Sequence, residues 1–356
     1  MERMLTDRIY LDHAATTPMT VAARAAVAQG LALWANPSSP HAEGRRARAA
    51  LEEARRTIAA AHGWRGETIL TSGASESLAI ALGRTTAGRR FITAVEHDAV
   101  MRAGGDAGVV PVDAGGIVDP GALAAMLAGA PALVCVQWAN SETGVRQPIA
   151  AIAEVVHAAG GQLLVDAAQM PASAELAEIA DMIALSAHKR GGPPGVGALL
   201  VRDLALLHPS GGQERGYRPG TENLPGVLGY AAALAEPEAD HGDLRARLDD
   251  AILRSGGEIV GAGSPRHPAI GSYRLRGSAA AAQLILLDSA GFAVSAGSAC
   301  SSGSMKPSHV LAAMGWEEAA GREVIRVSFG RTTTVEQVDA FIAAWRAMAK
   351  QMRRAA

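Results

Sequence analysis

Short apolar runs alternate along this chain with stretches whose apolar positions recur at helical spacing. The runs Glu67–Thr71, Phe91–Val95, Val109–Val112, Ala132–Trp138, Gln162–Val165, Met182–Ser186 and Val196–Val201 read as strands, and a shorter strand ends near Leu11. Helical spacing predicts helices over 43–61, where Leu51, Ala54 and Ile58 make an apolar stripe, over 74–84, and over Ile149–Ala159. Strand, tight turn and helix follow one another repeatedly, which predicts an α/β fold with a mostly parallel central sheet covered by helices. Ligands of such a sheet gather at the carboxyl ends of its strands. Around 236–250 the chain turns charged and helical, and shorter α/β elements follow, ending in a helix over Val335–Met352. The expected division is a large domain over residues 12–235 and a smaller α/β domain made of residues 1–11 and 236–356.

Composition narrows the functional classes. A chain of 356 residues can bury a large interior, and its formal net charge of only -2, with both signs interspersed, points to neither nucleic acid nor an anionic membrane as partner. The arginines of 43–61 read as a solvated helix face. The start, MERMLTDRIYLDHAATTP, has charges too early for a signal peptide, and no apolar run reaches membrane-spanning length. Two cysteines, Cys135 and Cys300, are too few for a disulfide framework, so a reducing, cytoplasmic location is expected.

Four features at strand ends or turns carry candidate chemistry. Gly73-Ala74-Ser75 opens a helix, where small residues let an anion approach free N–H groups; an ordinary serine cap is the competing reading. Asp166 ends an apolar run and is followed by Gln169. Its carboxylate could pair with a protonated pyridine nitrogen or cap a helix. Ser186-Ala187-His188-Lys189 precedes a glycine and proline turn, and a lysine there can form a Schiff base with an aldehyde and then move protons as an amine. Cys300 lies in a run of glycine and serine and suits a reactive role, whereas Cys135, inside an apolar run, reads as a packed thiol. Histidine and cysteine spacings for a metal site are absent, and so are a nucleotide-binding lysine loop and a serine elbow.

These segments stand in the order found in the cysteine desulfurases of the class V aminotransferase fold, the NifS/IscS-like branch. YLDHAATTP, NPSSPHAEGRRAR, TSGASES, VEHDAV, NSETGV, VDAAQ, SAHKRGGPPGVGAL, GGQERGYRPGTEN, SAGSACSSG and IRVSFGR all resemble that family, over essentially the whole chain. The resemblance implies a pyridoxal phosphate-dependent transferase of fold type I. Lys189 is then similar to the lysine that carries the cofactor, Asp166 to the partner of its ring nitrogen, Gln169 to the donor to its ring hydroxyl, and His97 to the imidazole over its face. Ala74, Ser75, Ser186 and His188 would bind the phosphate, and Thr221 would reach the phosphate of a neighbouring subunit in a homodimer. Arg326 would clamp the substrate carboxylate, and Asn140 and Ser141 would belong to the substrate site. Cys300 would take the sulfur of L-cysteine as a persulfide, leave L-alanine, and pass the sulfur to an acceptor protein, as in iron–sulfur cluster biogenesis. No metal is implied.

The chain departs from the family in three places. Ser141 stands where the family commonly has an asparagine, Leu78 and Ala79 replace polar residues beside the helix start, and the chain ends soon after Arg353 and Arg354. The family's longer tail engages the standard scaffold, so delivery to that scaffold is not expected. A selenocysteine lyase or another class V enzyme is the alternative activity, and a catalytically impaired sulfur-pathway binding protein is the alternative class.

Overall fold

A computed structural model describes residues 8–297 and 307–355. Cys300 lies outside the described residues. Thirteen strands are present among them: β1 (Ile9–Tyr10), β2 (Glu67–Thr71), β3 (Arg90–Thr93), β4 (Gly108–Val110), β5 (Leu133–Gln137), β6 (Gln162–Asp166), β7 (Met182–Ser186), β8 (Gly197–Val201), β9 (Glu258–Ile259), β10 (Ile270–Arg274), β11 (Phe292–Ala293), β12 (Ser295–Ala296) and β13 (Val324–Ser328).

The central sheet has seven strands in the order β2-β8-β7-β6-β5-β3-β4. Strands β7, β6, β5, β3 and β4 pair in parallel, while β8 is antiparallel to both β7 and β2. Strand β8 therefore runs against the other six. The reason is the connection: a turn, and no helix, joins β7 to β8, and a parallel partner needs a long crossover. Strands β5, β7 and β8 are buried along their full length, as expected of a sheet with helices on both faces. On one face Val134, Val136, Leu163 and Val165 pack with Leu51 and Ile58 of helix 42–61 and Ile152 of helix 149–158. On the other face Leu133, Cys135, Leu164 and Met182 meet Leu78 and Leu82 of helix 74–84.

A second sheet, ordered β12-β13-β10-β9, is antiparallel throughout its pairings. Its apolar side packs Ile325 and Val327 against Phe341 and Trp345 of helix 335–355 and Leu248 and Ile252 of helix 242–254. Strand β1 pairs in parallel with β11, and the chain after it runs beside β13, where Ser328 N–H donates to Leu11 O (2.8 Å). Among the described residues no helix is long and apolar enough to cross a membrane.

Candidate active site

The carboxyl ends of β2, β3, β5, β6 and β7 open on one side of the central sheet. Each sends a chemically useful residue into a shared cavity of about 330 Å³. Ala74 and Ser75 follow β2, His97 follows β3, Ser141 follows β5, Asp166 and Gln169 come from the end of β6, and Ser186, His188 and Lys189 from the end of β7. Arg326, in the middle of β13, closes the cavity from the second sheet.

One end of the cavity is built for an anion. Helix 74–84 starts there, and its N-cap, Gly73, makes no side-chain cap hydrogen bond. Gly73 has φ +150°, a conformation open to glycine, and a Cβ there would point into open space. Among the described residues no side chain caps the first-turn N–H groups at the positive end of the helix dipole, while the Glu76 carboxylate accepts the Ser72 N–H just before the helix. Ser75 lies inside the helix and does not cap it, which removes the serine-cap reading. His188 also lines the cavity and keeps a neutral ring, because burial and then the nearby Lys189 charge lower its pKa.

The centre of the cavity holds a carboxylate, an amine and an imidazole. Asp166 is buried, and its Oδ1 accepts the Ala168 N–H (2.9 Å), which fixes the carboxylate in a turn without capping a helix. Gln169 Nε2 donates to Ala14 O (3.0 Å). His97 caps helix 98–104, its Nδ1 accepting the Ala99 N–H (3.1 Å). That bond assigns the ring proton to Nε2. Burial, then the Lys189 charge, pushes the His97 pKa down, with Asp166 opposing. Lys189 is half-buried between these groups.

At the other end Arg326 is 4% exposed. Its Nη1 donates to Ser141 O (2.9 Å) and its Nη2 to Asp12 Oδ1 (2.7 Å), whereas Nε is buried with no partner among the described residues. The fixed guanidinium therefore retains donors for a carboxylate ligand. Asp12 is a residue that sequence reasoning missed, although it stands inside YLDHAATTP. Ser295 Oγ holds its other oxygen (2.7 Å).

Two candidates fall elsewhere. Asn140 is buried behind the cavity wall: its Nδ2 donates to Val95 O (3.0 Å), and its Oδ1 accepts the N–H groups of Glu142 (2.9 Å) and Thr143 (2.8 Å). It shapes the turn that presents Ser141. Thr221 is exposed and lies outside the cavity lining. Cys135, by contrast, is fully buried in β5, and burial pushes its thiol well up, so it is a protonated packing residue.

Below His97 lies a second residue that the sequence did not single out. Glu96 is fully buried, with Oε1 accepting from Thr93 Oγ1 (2.6 Å) and Gln137 N–H (2.9 Å) and Oε2 without a partner among the described residues. Burial, with Asp166 adding to it, raises its pKa from 4.5 to about 8. The fold thus keeps a proton that the unfolded chain releases above pH 4.5, so this stabilisation is complete below 4.5 and disappears as pH rises to about 8. His13 and His267 act oppositely: burial lowers them from 6.5 to about 4 and about 3, and their contribution is lost as pH falls below 6.5. Between pH 6.5 and 8 the Glu96 slope remains. Denaturant titrations are expected to show a smaller loss of stability across that window for Glu96→Gln than for the native chain, and equal losses would contradict a protonated Glu96.

The two sheets, with an amine, a carboxylate and an anion cradle at the strand ends, define a pyridoxal phosphate-type transferase of fold type I. The chain belongs to the aminotransferase class-V family, whose model matches residues 9–341. Enzymes of that family depend on pyridoxal phosphate in general. The chain is 38% identical to a cysteine desulfurase of Cereibacter sphaeroides, over 98% of this chain and 97% of the relative. It is also 38% identical to an IscS-like cysteine desulfurase of Mycobacterium tuberculosis, over 98% of both chains. A solved NifS-like protein from Rickettsia africae superposes with a TM-score of 0.86 at 29% identity, covering 96% of this chain and 99% of that one. A structure described as SspA in complex with cysteine gives a TM-score of 0.80 at 27% identity, over 92% and 100%.

Proposed function

We propose that this protein is a cysteine desulfurase that binds pyridoxal phosphate on Lys189, converts L-cysteine to L-alanine, and collects the sulfur on Cys300. The observation that carries the reading is the convergence of Lys189, Asp166, His97 and Arg326 on one cavity beside an uncapped helix start. The residues fit the cofactor: uncapped N–H groups with Ser75, Ser186 and His188 suit a phosphate, and Asp166 suits a protonated ring nitrogen. When bound there, pyridoxal phosphate supplies an aldehyde for amines and a ring that withdraws electrons released at the substrate α-carbon.

The chain's own residues do the remainder. Arg326, already fixed by Asp12 and Ser141 O, orients the substrate carboxylate through its unused donors. Lys189 holds the cofactor in the resting enzyme and, as a free amine, moves the α-proton. His97 covers the ring face and, being neutral with Nε2 protonated, can donate a hydrogen bond there. Gln169 has a second amide hydrogen for the ring hydroxyl. The Cys300 thiolate attacks the substrate sulfur as the Cβ–S bond breaks; the electron pair of that bond passes to the substrate carbons, which take up protons to become alanine, and the sulfur stays on Cys300 as a persulfide for an acceptor protein. Asn140 enters this account only as support for Ser141.

In this reading residues 12–235 form the cofactor domain, and 1–11 with 236–356 form the domain that brings Arg326 and Cys300. The active form is a homodimer with Thr221 near the partner's phosphate. Val21, Leu31 and Trp34, which are 74%, 65% and 79% exposed in the single chain, support a covered surface near helix 21–32.

The test is purified protein with L-cysteine and a reducing thiol, following alanine and sulfide. Equal amounts of both are expected from the native enzyme, and loss of both from Cys300→Ala. Full turnover of cysteine by Cys300→Ala would remove the nucleophile assignment and favour a class V enzyme of another kind.

A further inference from the structure

Behind Lys189, away from the anion cradle, lies a second cavity in which Glu238 is the carboxylate among the described lining residues. Its oxygens are shared by two arginines. Glu238 Oε1 accepts from Arg190 Nε (3.1 Å) and Arg331 Nη2 (2.6 Å), and Oε2 accepts from Arg190 Nη2 (2.5 Å). Arg190 is the residue after Lys189, and its Nη1 also donates to Gln169 O (3.2 Å). Arg331 Nη1 donates to the carbonyl of Arg190 (2.8 Å), and its Nε to Pro237 O (3.2 Å). Gly191 makes room for this contact: it has φ +78°, and a Cβ there would come within 2.9 Å of Arg331 Nη1. The side chains of Arg190, Glu238 and Arg331 are 16%, 28% and 14% exposed, so the set is shielded on most sides.

We propose that Glu238 is a positioning residue for Lys189, acting through the ion triad Arg190–Glu238–Arg331. The proposal rests on the reading of Lys189 as the cofactor lysine. Three separated segments meet in the triad: the turn after β7 that bears Lys189, the stretch after helix 224–234, and the turn after β13. Both the backbone and the side chain of Arg190 are held, so the residue beside the reacting amine is fixed on two sides. The hydrogen bond to Gln169 O adds the turn after β6, placing the lysine and the ring-hydroxyl donor on one frame.

The triad also sets charge. Two guanidinium groups share one carboxylate, Glu236 adds a second negative charge felt by Arg331, and the histidines on this wall, His13, His241 and His267, are kept neutral by burial. Arg146 lines the same cavity. On the cofactor side Lys189 shares its cavity with neutral His97 and His188, the carboxylates of Asp166 and Glu76 and the guanidinium of Arg326, and no described contact joins any of these to the triad. Removing the Glu238 charge makes the potential at Lys189 more positive, which disfavours a protonated nitrogen there. Removing the Arg331 charge does the reverse.

The experiment uses the holoprotein and follows, against pH, the absorbance of the cofactor joined to Lys189. Glu238→Gln is expected to lower the midpoint by about one unit, equivalent to about tenfold in the proton equilibrium, and Arg331→Met to raise it. Both variants should weaken cofactor retention in dialysis by about tenfold while leaving the KM for L-cysteine within about twofold, and Glu238→Asp should recover most of each loss. Loss of packing alone has no reason to move the two midpoints in opposite directions. Midpoints and retention unchanged from the native protein, or shifted in the same direction in both variants, would overturn the triad's role. Should Glu238→Gln fail to fold, the upward shift in Arg331→Met alone decides the matter. A native protein that borohydride does not label at residue 189 overturns this proposal together with the function it rests on, whereas normal labelling with unmoved midpoints overturns the triad alone.

Discussion

Lys189→Ala, saturated with pyridoxal phosphate and given L-cysteine, is expected to form alanine and sulfide at least about 10⁴-fold more slowly than the native enzyme. The size of the loss comes from two tasks in one nitrogen. Under the proposed function, its removal takes away both the covalent anchor that the substrate exchanges with and the amine that moves the α-proton. Neighbouring groups cannot substitute: His97 uses Nδ1 in capping its helix, and the His188 ring lies against Thr16 Oγ1 (3.2 Å). Borohydride reduction followed by peptide mapping should label residue 189 in the native protein and nothing in the variant. Alanine formation above about one part in a hundred of the native rate would show that another group carries the chemistry.

Asp166→Asn should keep its cofactor and lose turnover by roughly 10²–10⁴-fold. The amide can still accept the Ala168 N–H that orients the native side chain, so the site retains its shape. What it loses is the charge that favours a protonated ring nitrogen in a buried place. A buried pair broken on one side costs about 3–5 kcal/mol, and that converts to roughly the stated factor when it falls on the transition state. Single-turnover measurements at saturating cysteine separate this from altered binding. A rate within about tenfold of the native one would mean that Asp166 serves only the turn.

Much of this site could be read from the sequence because the chemistry sits at places with strong local signals. Apolar runs ended by Asp166 or by Ser186 to Lys189, and a glycine before a helix, mark strand ends without knowledge of the neighbours. The order of the strands had no such signal, and the reversal of β8 follows from a connection whose length only the fold reveals. Helices 21–32, 120–127, 224–234 and 280–289 escaped the periodic reading because they are rich in alanine or apolar on most sides, so they lack a polar face to set against an apolar one. Strand limits moved by one to two residues where apolar runs continue into turns, as with Val112 beyond β4 and Val95 beyond β3. Asp12, Glu96 and Glu238 were missed for a different reason. Each acts through a partner far along the chain or through complete burial, and neither property is written in nearby residues. Asn140 was placed with the substrate on the strength of its motif, yet its hydrogen bonds are consumed by its own turn and by Val95 O.

The groups suited to the cofactor all hang from one buried sheet, while the arginine suited to the substrate belongs to another with its own apolar interior. Pigmentation and grip are therefore mechanically separable in this molecule. A disturbance confined to Arg326 and its support from Asp12 would leave a yellow protein that no longer seats its amino acid, whereas bleaching would demand damage to the larger layer or to the triad that ties it to the smaller one.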